Sequence, residues 1–199
     1  MIRVENNERH RPDAAAQPTD VIGPALRFVR DEAGFAQVFT INKDGFPVGR
    51  TMVAVLNEDW SVDLVQRTVH RRLGQLRRNP RVEVMWAGTP HAGSVNDRPH
   101  VYDFGLAIPR VVFVRGLAEP MSDEQLVATY RRQTAIQRGG GLTKAPERTA
   151  EQVLAELAGI TIRPVQVRAE GFDVGAASFT WSPGAASSGA ASSGDGEAP

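Results

Sequence analysis

Cysteine is absent from the 199 residues of this chain. Its absence excludes disulfide bonds, thiolate metal sites and cysteine nucleophiles, and it is compatible with a reducing compartment. A charge excess of one sign is also missing, because 23 Lys and Arg residues balance 23 Asp and Glu residues. The chain as a whole therefore has no field that would recruit nucleic acid or an anionic membrane.

Long apolar segments are lacking as well. The longest apolar run is Met52–Leu56, far short of the roughly 20 residues that a membrane-spanning helix needs. The N-terminus carries Glu5, Glu8 and Asp13 where a secretory signal would have an apolar core. We therefore expect a soluble, cytoplasmic protein with no membrane partner.

The two ends of the chain differ in composition from its middle. Residues 1–18 are polar and rich in Pro and Ala, and residues 183–199 are a low-complexity run of Gly, Ala and Ser. Neither segment has enough apolar surface to offset the entropy that ordering would cost, so we expect two disordered tails. Residues 19–182 remain as a single folded domain.

Turn signals and apolar spacing predict an initial helix, a series of strands, and further helices. Asp44-Gly45 is a strong hairpin signal between strands predicted at 35–42 and 46–56. Further strands are predicted at 60–66, 81–86, 110–115 and 160–168, and helices at 24–32, 69–78, 122–138 and 149–157. Gly34 is predicted to cap the first helix. The order indicates a mainly β fold, a small antiparallel barrel with peripheral helices.

The segment most informative about chemistry is 67–81, which holds six arginines. Arg71 and Arg72 fall in the first turn of a predicted helix, where cations oppose the helix dipole and an anion is favoured. A phosphate held by the guanidinium groups, with Thr68 or His70 beside it, would resolve that conflict. A solvated basic face is the alternative. Nucleic-acid binding is disfavoured, because no aromatic residues are interleaved with the arginines.

Three stretches give a family resemblance. Residues 45–50 (Gly-Phe-Pro-Val-Gly-Arg) and 71–80 (Arg-Arg-Leu-Gly-Gln-Leu-Arg-Arg-Asn-Pro) resemble the flavin-binding stretch of the pyridoxamine-5′-phosphate-oxidase-like split barrels. Residues 110–116, a predicted strand ending in Gly, resemble a later strand of that family. The resemblance implies an antiparallel FMN-binding split β-barrel that forms a homodimer, with its cofactor at the dimer interface.

The resemblance also implies which residues bind the cofactor. The second strand would lie along the flavin ring and ribityl chain, the end of the third strand would reach the chain and phosphate, and the helix start would hold the phosphate. One residue, Val111, would approach the ring from the other subunit. The residues it implies are Arg50, Thr51, Met52, Val53, Val65, Gln66, Arg71, Arg72 and Val111. With Arg67, Thr68 and His70 from the arginine-rich segment, the predicted cofactor-binding set has twelve residues.

The implied function is that of a flavin-dependent oxidoreductase, which transfers hydride to or from an unidentified small molecule. Because the cofactor carries that chemistry, no catalytic side chain is assigned. Val55 stands where pyridoxamine phosphate oxidases have a substrate lysine, so vitamin B6 oxidation itself is not expected. Two alternatives stay open, namely a reductase that uses the deazaflavin coenzyme F-420 and a non-catalytic carrier of flavin or haem.

No metal site is predicted. His91 and His100, with Asp97 and Asp103 nearby, lie in a long Gly- and Pro-rich loop predicted at 87–100 and just after it. Two histidines nine residues apart in a polar loop are a poor metal signature.

Overall fold

The computed structural model describes residues 18–88, 109–141, 147–172 and 178–183. The described helices are α1 (Pro18–Arg27), α2 (Arg71–Arg78), α3 (Asp123–Gly139) and α4 (Ala150–Glu156), and a π-helical turn (Phe28–Glu32) follows α1. The described strands are β1 (Ala36–Ile41), β2 (Pro47–Met52), β3 (Val55–Leu56), β4 (Val62–Arg67), β5 (Arg81–Ala87), β6 (Val111–Pro120), β7 (Leu157–Glu170) and β8 (Ser178–Trp181).

One antiparallel sheet contains all of these strands. Their order is β2-β1-β5-β6-β7-β4-β3, and β8 pairs with β7 beside this path. The first and last strands of the path, β2 and β3, are neighbours in sequence, separated by Val53 and Ala54 alone. The sheet therefore curls back towards its own beginning as a half-barrel, which confirms the predicted split-barrel fold.

The predicted strand at 46–56 is wrong in one respect, because the structure divides it into β2 and β3. Met52, at the end of β2, is in register with Ala36 of β1, whereas Val55, at the start of β3, is in register with Asp63 of β4. Val53 and Ala54 carry the chain from one sheet edge to the other and cannot pair on both sides. This crossover forms one wall of the site described below.

The core fills the concave side of the curled sheet. Along β6, buried Val112 and Val114 alternate with partly exposed Val111 and Phe113, as a strand with one buried face requires. Trp86 of β5 is also buried in this core. Each fully buried side chain of this size stabilises the fold by about 1.5–3 kcal/mol relative to exposure.

The β1–β2 hairpin follows its predicted turn. Asn42 Oδ1 accepts hydrogen bonds from the backbone N–H groups of Asp44 and Phe46, each at 2.9 Å. Gly45 adopts φ +85°, a conformation that a residue with a Cβ rarely takes. The predicted Asp44-Gly45 hairpin turn is confirmed.

The two later helices begin as their sequences indicate. Ser122 and Gln125 form a reciprocal capping box at the start of α3, and Thr149 and Gln152 form another at the start of α4. Each box satisfies two backbone donors that a helix start otherwise leaves free. The helix predicted at 122–138 is confirmed, with Ser122 as its N-cap.

Two elements differ from the predictions. The first helix begins at Pro18 rather than at 24, and Ala33 rather than Gly34 caps the π-helical turn, in an extended conformation. Strand β8 was not predicted, because its four residues carry too short a pattern to stand out from the low-complexity segment that follows.

Several predictions fall outside the described residues. These are the two tails, apart from Pro18 and Pro183, and most of the 87–100 loop, so those predictions stay open. Within the described ranges, no helix has the length and apolar character needed to cross a membrane.

Candidate functional site

Helix α2 starts at the end of β4 through a short fixed turn. The backbone N–H and the hydroxyl of Thr68 donate to the carbonyl oxygen of Glu156, at 2.9 and 3.2 Å, which ties this turn to the end of α4. His70 is the N-cap, but its side chain makes no capping hydrogen bond, and the first turn contains no acidic residue. The start of α2 therefore keeps its positive character.

Arg72 is buried at this helix start, with only 7% of its surface exposed. Its Nε and Nη1 atoms have no hydrogen-bond partner among the described residues. Burial, and to a lesser degree the nearby charge of Arg50, lower the pKa of Arg72. A buried guanidinium that lacks both a counter-ion and hydrogen bonds is costly, and a bound anion would satisfy it.

The guanidinium of Arg50, unlike that of Arg72, has hydrogen-bond partners within the chain. Its Nη1 donates to Gln75 Oε1 at 3.2 Å and lies 3.5 Å from Thr40 Oγ1, while the Thr40 hydroxyl donates to Gln75 at 3.0 Å. These contacts join β1, β2 and α2. Arg50 thus fixes the helix that carries Arg72 and adds positive potential beside it.

A cleft of about 410 Å³ lies against Arg72, between the ends of β2 and β4 and the helix α3. We call it the anion cleft. None of the described residues that line it is acidic. Its lining is Thr51, Met52, Val53, Val65, Gln66, Arg67, His70, Arg72, Tyr130, Gln133, Thr134, Gln137, Arg148 and Leu157.

Two buried carboxamides add to the unsatisfied groups of this cleft. Gln66 is 5% exposed and neither its Nε2 nor its Oε1 has a hydrogen-bond partner in the described chain. Gln133 is 9% exposed and its Nε2 also lacks one. Native proteins pair nearly all buried polar atoms, so three such side chains at one cleft indicate a ligand with both acceptor and donor atoms.

The structure brings eight of the twelve predicted site residues to the anion cleft and separates the other four. Arg50 is engaged with Gln75, and Thr68 with Glu156. Arg71 is exposed and does not line the cleft, because adjacent helix residues point about 100° apart. Val111 lies on β6, and its predicted approach to a partner's cofactor stays a prediction.

Comparison with known proteins identifies the family of this chain. The family model described as pyridoxamine 5′-phosphate oxidase matches residues 22–170, which include every residue lining the anion cleft. The chain belongs to the pyridoxamine 5′-phosphate oxidase-like family. At the level of sequence, no curated protein matches this chain.

Solved structures share the fold of this family member at low sequence identity. A heme-binding protein from Mycobacterium smegmatis matches at a TM-score of 0.58 and 14% identity; the alignment covers 85% of this chain and 60% of that protein. A Clostridium acetobutylicum protein of the pyridoxinephosphate oxidase family, related to general stress protein 26, matches at a TM-score of 0.53 and 11% identity. That alignment covers 84% of this chain and 96% of that protein. General stress protein 26 from Bacillus anthracis matches at a TM-score of 0.52 and 13% identity, with 79% of this chain and 96% of that protein aligned.

In this member of the pyridoxamine 5′-phosphate oxidase-like family, α3 supplies site residues that the sequence analysis missed. Leu126, Thr129 and Gln133 are buried at spacings of three and four residues, and Gln137 continues the same face. The face thus begins apolar and becomes polar towards the C-terminal end of the helix. Polar residues at helix positions that should face a core were a readable signal of a polar cleft.

Arg148, shortly before α4, also lines the cleft. Its Nε donates to Glu156 Oε2 at 3.0 Å and its Nη1 to the hydroxyl of Tyr130 at 3.4 Å. Arg148 is therefore already compensated by Glu156. Arg72, which has no such partner in the described chain, is the stronger candidate for an anion.

A metal centre finds no support in the described part of the chain. No three His, Asp or Glu side chains there come together as metal ligands. The histidines and aspartates of the predicted 87–100 loop and its flank lie outside the described residues, so their role stays open.

Proposed function

We propose that this chain is an oxidoreductase that binds a flavin or deazaflavin through its phosphate, with Arg72 as the main phosphate ligand. The observation that carries the proposal is the buried guanidinium of Arg72, whose Nε and Nη1 have no partner among the described residues, in a cleft whose described lining has no acid. Family membership supports the same class of cofactor. When bound, the cofactor supplies hydride transfer to or from a small molecule, which this chain's side chains cannot perform alone.

The residues of the anion cleft fit such a group. Arg72 would donate to phosphate oxygens through Nε and Nη1. These atoms, and both the Nε2 donor and the Oε1 acceptor of Gln66, have no partner in the described part of the chain. Thr51 to Val53 form the wall along which the ring and ribityl chain would lie. These side chains bind and orient the cofactor, and none of them is asked to transfer a proton.

FMN is the cofactor we favour, and coenzyme F-420 and haem are the alternatives. A longer, polyanionic deazaflavin tail would need cations beyond Arg72. Of the basic residues on α3, Arg132 is already paired with Asp63 at 2.6 Å. Arg67 and Arg148 line the cleft, but Arg148 is held by Glu156. This supply of free cations suits a single phosphate better than an extended anionic tail.

The test is titration of the cofactor-free protein with FMN, with F-420 and with haem. Arg72→Ala removes one or two charge-assisted hydrogen bonds of about 1.5–3 kcal/mol each, so affinity for the phosphate-bearing cofactor falls at least about tenfold. Arg72→Lys loses less, because the charge remains while the planar fork is lost. Haem binding that is insensitive to Arg72, with no flavin or deazaflavin binding, would overturn the proposal.

Arg78→Ala is the matched control. Arg78 is the last residue of α2, it is exposed, and it does not line the anion cleft. Its loss removes the same charge six positions away, so cofactor affinity should stay within about twofold, the range of a screened surface charge. Equal weakening by Arg72→Ala and Arg78→Ala would mean that the arginines act only as a diffuse basic face.

Turnover separates an enzyme from a carrier. The protein loaded with its cofactor is mixed with a nicotinamide donor and the absorbance of the bound ring is followed. Reduction and reoxidation over many cycles supports an oxidoreductase. A bound ring that stays in one redox state with every donor would identify a carrier.

We also propose that the chain acts as a homodimer. The convex face of the sheet has a depression of about 640 Å³ whose walls include Phe39, Met85, Phe113, Leu117 and Val165. Leu117 and Val165 are exposed there. An apolar patch of this kind on a soluble chain is typical of an interface, and a second copy of the chain is the occupant expected of this family.

A further inference from the structure

A second cavity adjoins the anion cleft. It measures about 550 Å³, within the range of small-molecule sites, and it shares Val53, Gln133 and Gln137 with the anion cleft. We call it the side pocket. Its lining is Val29, Arg30, Val53, Ala54, Val55, Leu56, Asn57, Glu58, Arg132, Gln133, Ile136 and Gln137.

The walls of the side pocket are largely apolar. One wall is the β2–β3 crossover at 53–54 together with β3, and the other is the C-terminal part of α3. Val53 and Ile136, on these two walls, leave 39% and 59% of their surfaces exposed. A ligand with an apolar body between them would remove both from water, which favours binding.

The charges at the rim of the side pocket are already paired. Arg30 lies 3.7 Å from Glu58, and Arg132 lies 2.6 Å from Asp63. Asp63 is buried, and it also accepts hydrogen bonds from Thr161 and Asn57, at 2.9 and 3.2 Å. Because both guanidinium groups have carboxylate partners, the pocket offers no free cation to an anionic ligand. A neutral ligand is the better match.

Gln133 lies where the two cavities meet. It is one of two residues of α3 that line both, it is more than nine-tenths buried, and its Nε2 has no partner in the described chain. An amide Nε2 is a donor only, so a ligand atom that satisfies it must be an acceptor. A carbonyl oxygen is the neutral acceptor that suits it.

We infer that the side pocket binds a neutral ligand with an apolar body and a carbonyl oxygen that accepts a hydrogen bond from Gln133 Nε2. The inference that the side pocket binds a ligand depends only on the residues that line it. Its assignment as the substrate site rests on the proposed function, since a ligand here would lie beside a cofactor anchored at Arg72 and share the Val53 wall with it.

The experiment uses the full chain and three naphthalene probes, followed by calorimetry or by ligand-observed NMR. The ketone 2-acetonaphthone has the carbonyl, 2-ethylnaphthalene lacks it, and 2-naphthoate carries a negative charge. We expect the ketone to bind most tightly. Gln133→Leu should weaken the ketone about three- to tenfold, as the loss of one hydrogen bond does, and leave 2-ethylnaphthalene unchanged.

Ile136→Glu is the second variant, and it places a charge on the apolar wall without disturbing a buried residue. It should weaken both neutral probes at least about fivefold, because a charge must be desolvated beside an apolar ligand. Leu154→Glu makes the same change at an exposed position of α4 outside both cavities and should have no effect. Failure of the ketone to bind, or equal effects of the two glutamates, would overturn the inference.

The outcome is separable from that of the proposed function. In cofactor-free protein, Arg72→Ala should leave ketone binding unchanged, since Arg72 lines only the anion cleft. Ketone binding with the expected response to Gln133→Leu, but no binding of any flavin or deazaflavin, would support the side pocket and refute the cofactor. Binding of a flavin or deazaflavin that depends on Arg72, without any binding of the ketone, would support the proposed cofactor and refute the side pocket.

Discussion

Arg50 on β2 and Gln75 on α2 are joined by a hydrogen bond of 3.2 Å from Nη1 to Oε1, and the same oxygen accepts a hydrogen bond from the Thr40 hydroxyl at 3.0 Å. Thr40 and Gln75 are both buried. One carboxamide oxygen therefore fixes the helix that carries Arg72 against the first hairpin. The position of the proposed phosphate ligand depends on this contact.

Gln75→Leu tests that dependence. The substitution removes the acceptor of the buried Thr40 hydroxyl, so the free energy of unfolding should fall by about 1–3 kcal/mol. Denaturant unfolding measures it. The double variant Gln75→Leu with Thr40→Val removes both partners and should recover part of the loss. A double variant less stable than the single one would show that this hydrogen bond does not hold α2 in place.

Gly116 permits the close approach of β6 and β7 at an irregularity in their register. A Cβ at Gly116 would lie 2.2 Å from the carbonyl oxygen of Arg163 and 2.7 Å from Cγ2 of Ile162. Gly116→Ala should therefore lower the free energy of unfolding by at least about 1–3 kcal/mol, because the backbone must shift to admit the methyl group. Gly34→Ala is the control, since nothing lies within 4 Å of its Cβ position. Equal thermal midpoints for the two variants would contradict the prediction.

Asp59 should make the stability depend on pH at the acid end. Its Oδ1 accepts hydrogen bonds from the hydroxyl and backbone N–H of Ser61, at 2.6 and 3.0 Å, and the hydroxyl contact in particular lowers the pKa of Asp59. A carboxyl whose pKa is lower in the folded state stabilises the fold above its unfolded pKa, and that contribution is lost as pH falls through the folded pKa.

The measurement is urea unfolding of wild type and Asp59→Asn between neutral pH and about pH 2.5, below the ordinary aspartate pKa of roughly 3.9. Wild type should lose more stability than the variant below about pH 4, and the two curves should run parallel above about pH 5. Acid limbs of identical shape would show that the Ser61 contacts favour neither protonation state of Asp59.

The turn that contains Asp59 also holds Trp60, at φ 65°, against Trp181, with the ring centroids 5.0 Å apart.

Local signals explain why much of the fold was predictable from sequence. The Asp44-Gly45 turn and the capping boxes of α3 and α4 each act through neighbouring backbone, so the residues themselves determine the element. The division of 46–56 into β2 and β3 was not predictable in this way. It depends on which strands lie on either side of Val53 and Ala54, and that is a property of the closed sheet.

The same distinction explains the outcome at the site. Arg72, Gln66 and Thr51 to Val53 were predicted together, because the stretch that carries the family resemblance is contiguous in sequence, and the structure brings them to the anion cleft. Tyr130, Gln133 and Arg148 come from later elements and meet the cleft only through packing of α3 and α4. Arg50 and Thr68 were assigned to the ligand, yet the structure gives their side chains partners within the chain, Gln75 and Glu156.

The proposed homodimer has a candidate interface on the convex face of the sheet. Val165 has no register partner where β6 and β7 shift, and it is exposed beside Leu117 on the convex face of the sheet. Arg168 lies over the ring of Phe113 on the same face, 4.2 Å from its centroid, and Glu83 is paired with Arg115. An apolar centre with paired charges around it is the pattern of a stable interface, which buries about 1,600 Å² or more.

Light scattering should therefore give twice the chain mass of 21.6 kDa at micromolar concentration. Val165→Glu would bury an unpaired carboxylate in the interface, which costs several kcal/mol, so the dimer should dissociate at least about a hundredfold more readily. Leu154→Glu, the same change on exposed α4, should leave the dimer intact. A wild-type protein of single-chain mass would refute the dimer, and an intact Val165→Glu dimer would place the interface on another face. Because the resemblance puts Val111 of one subunit against the cofactor of the other, Val165→Glu should also weaken cofactor binding, although Val165 does not line the anion cleft.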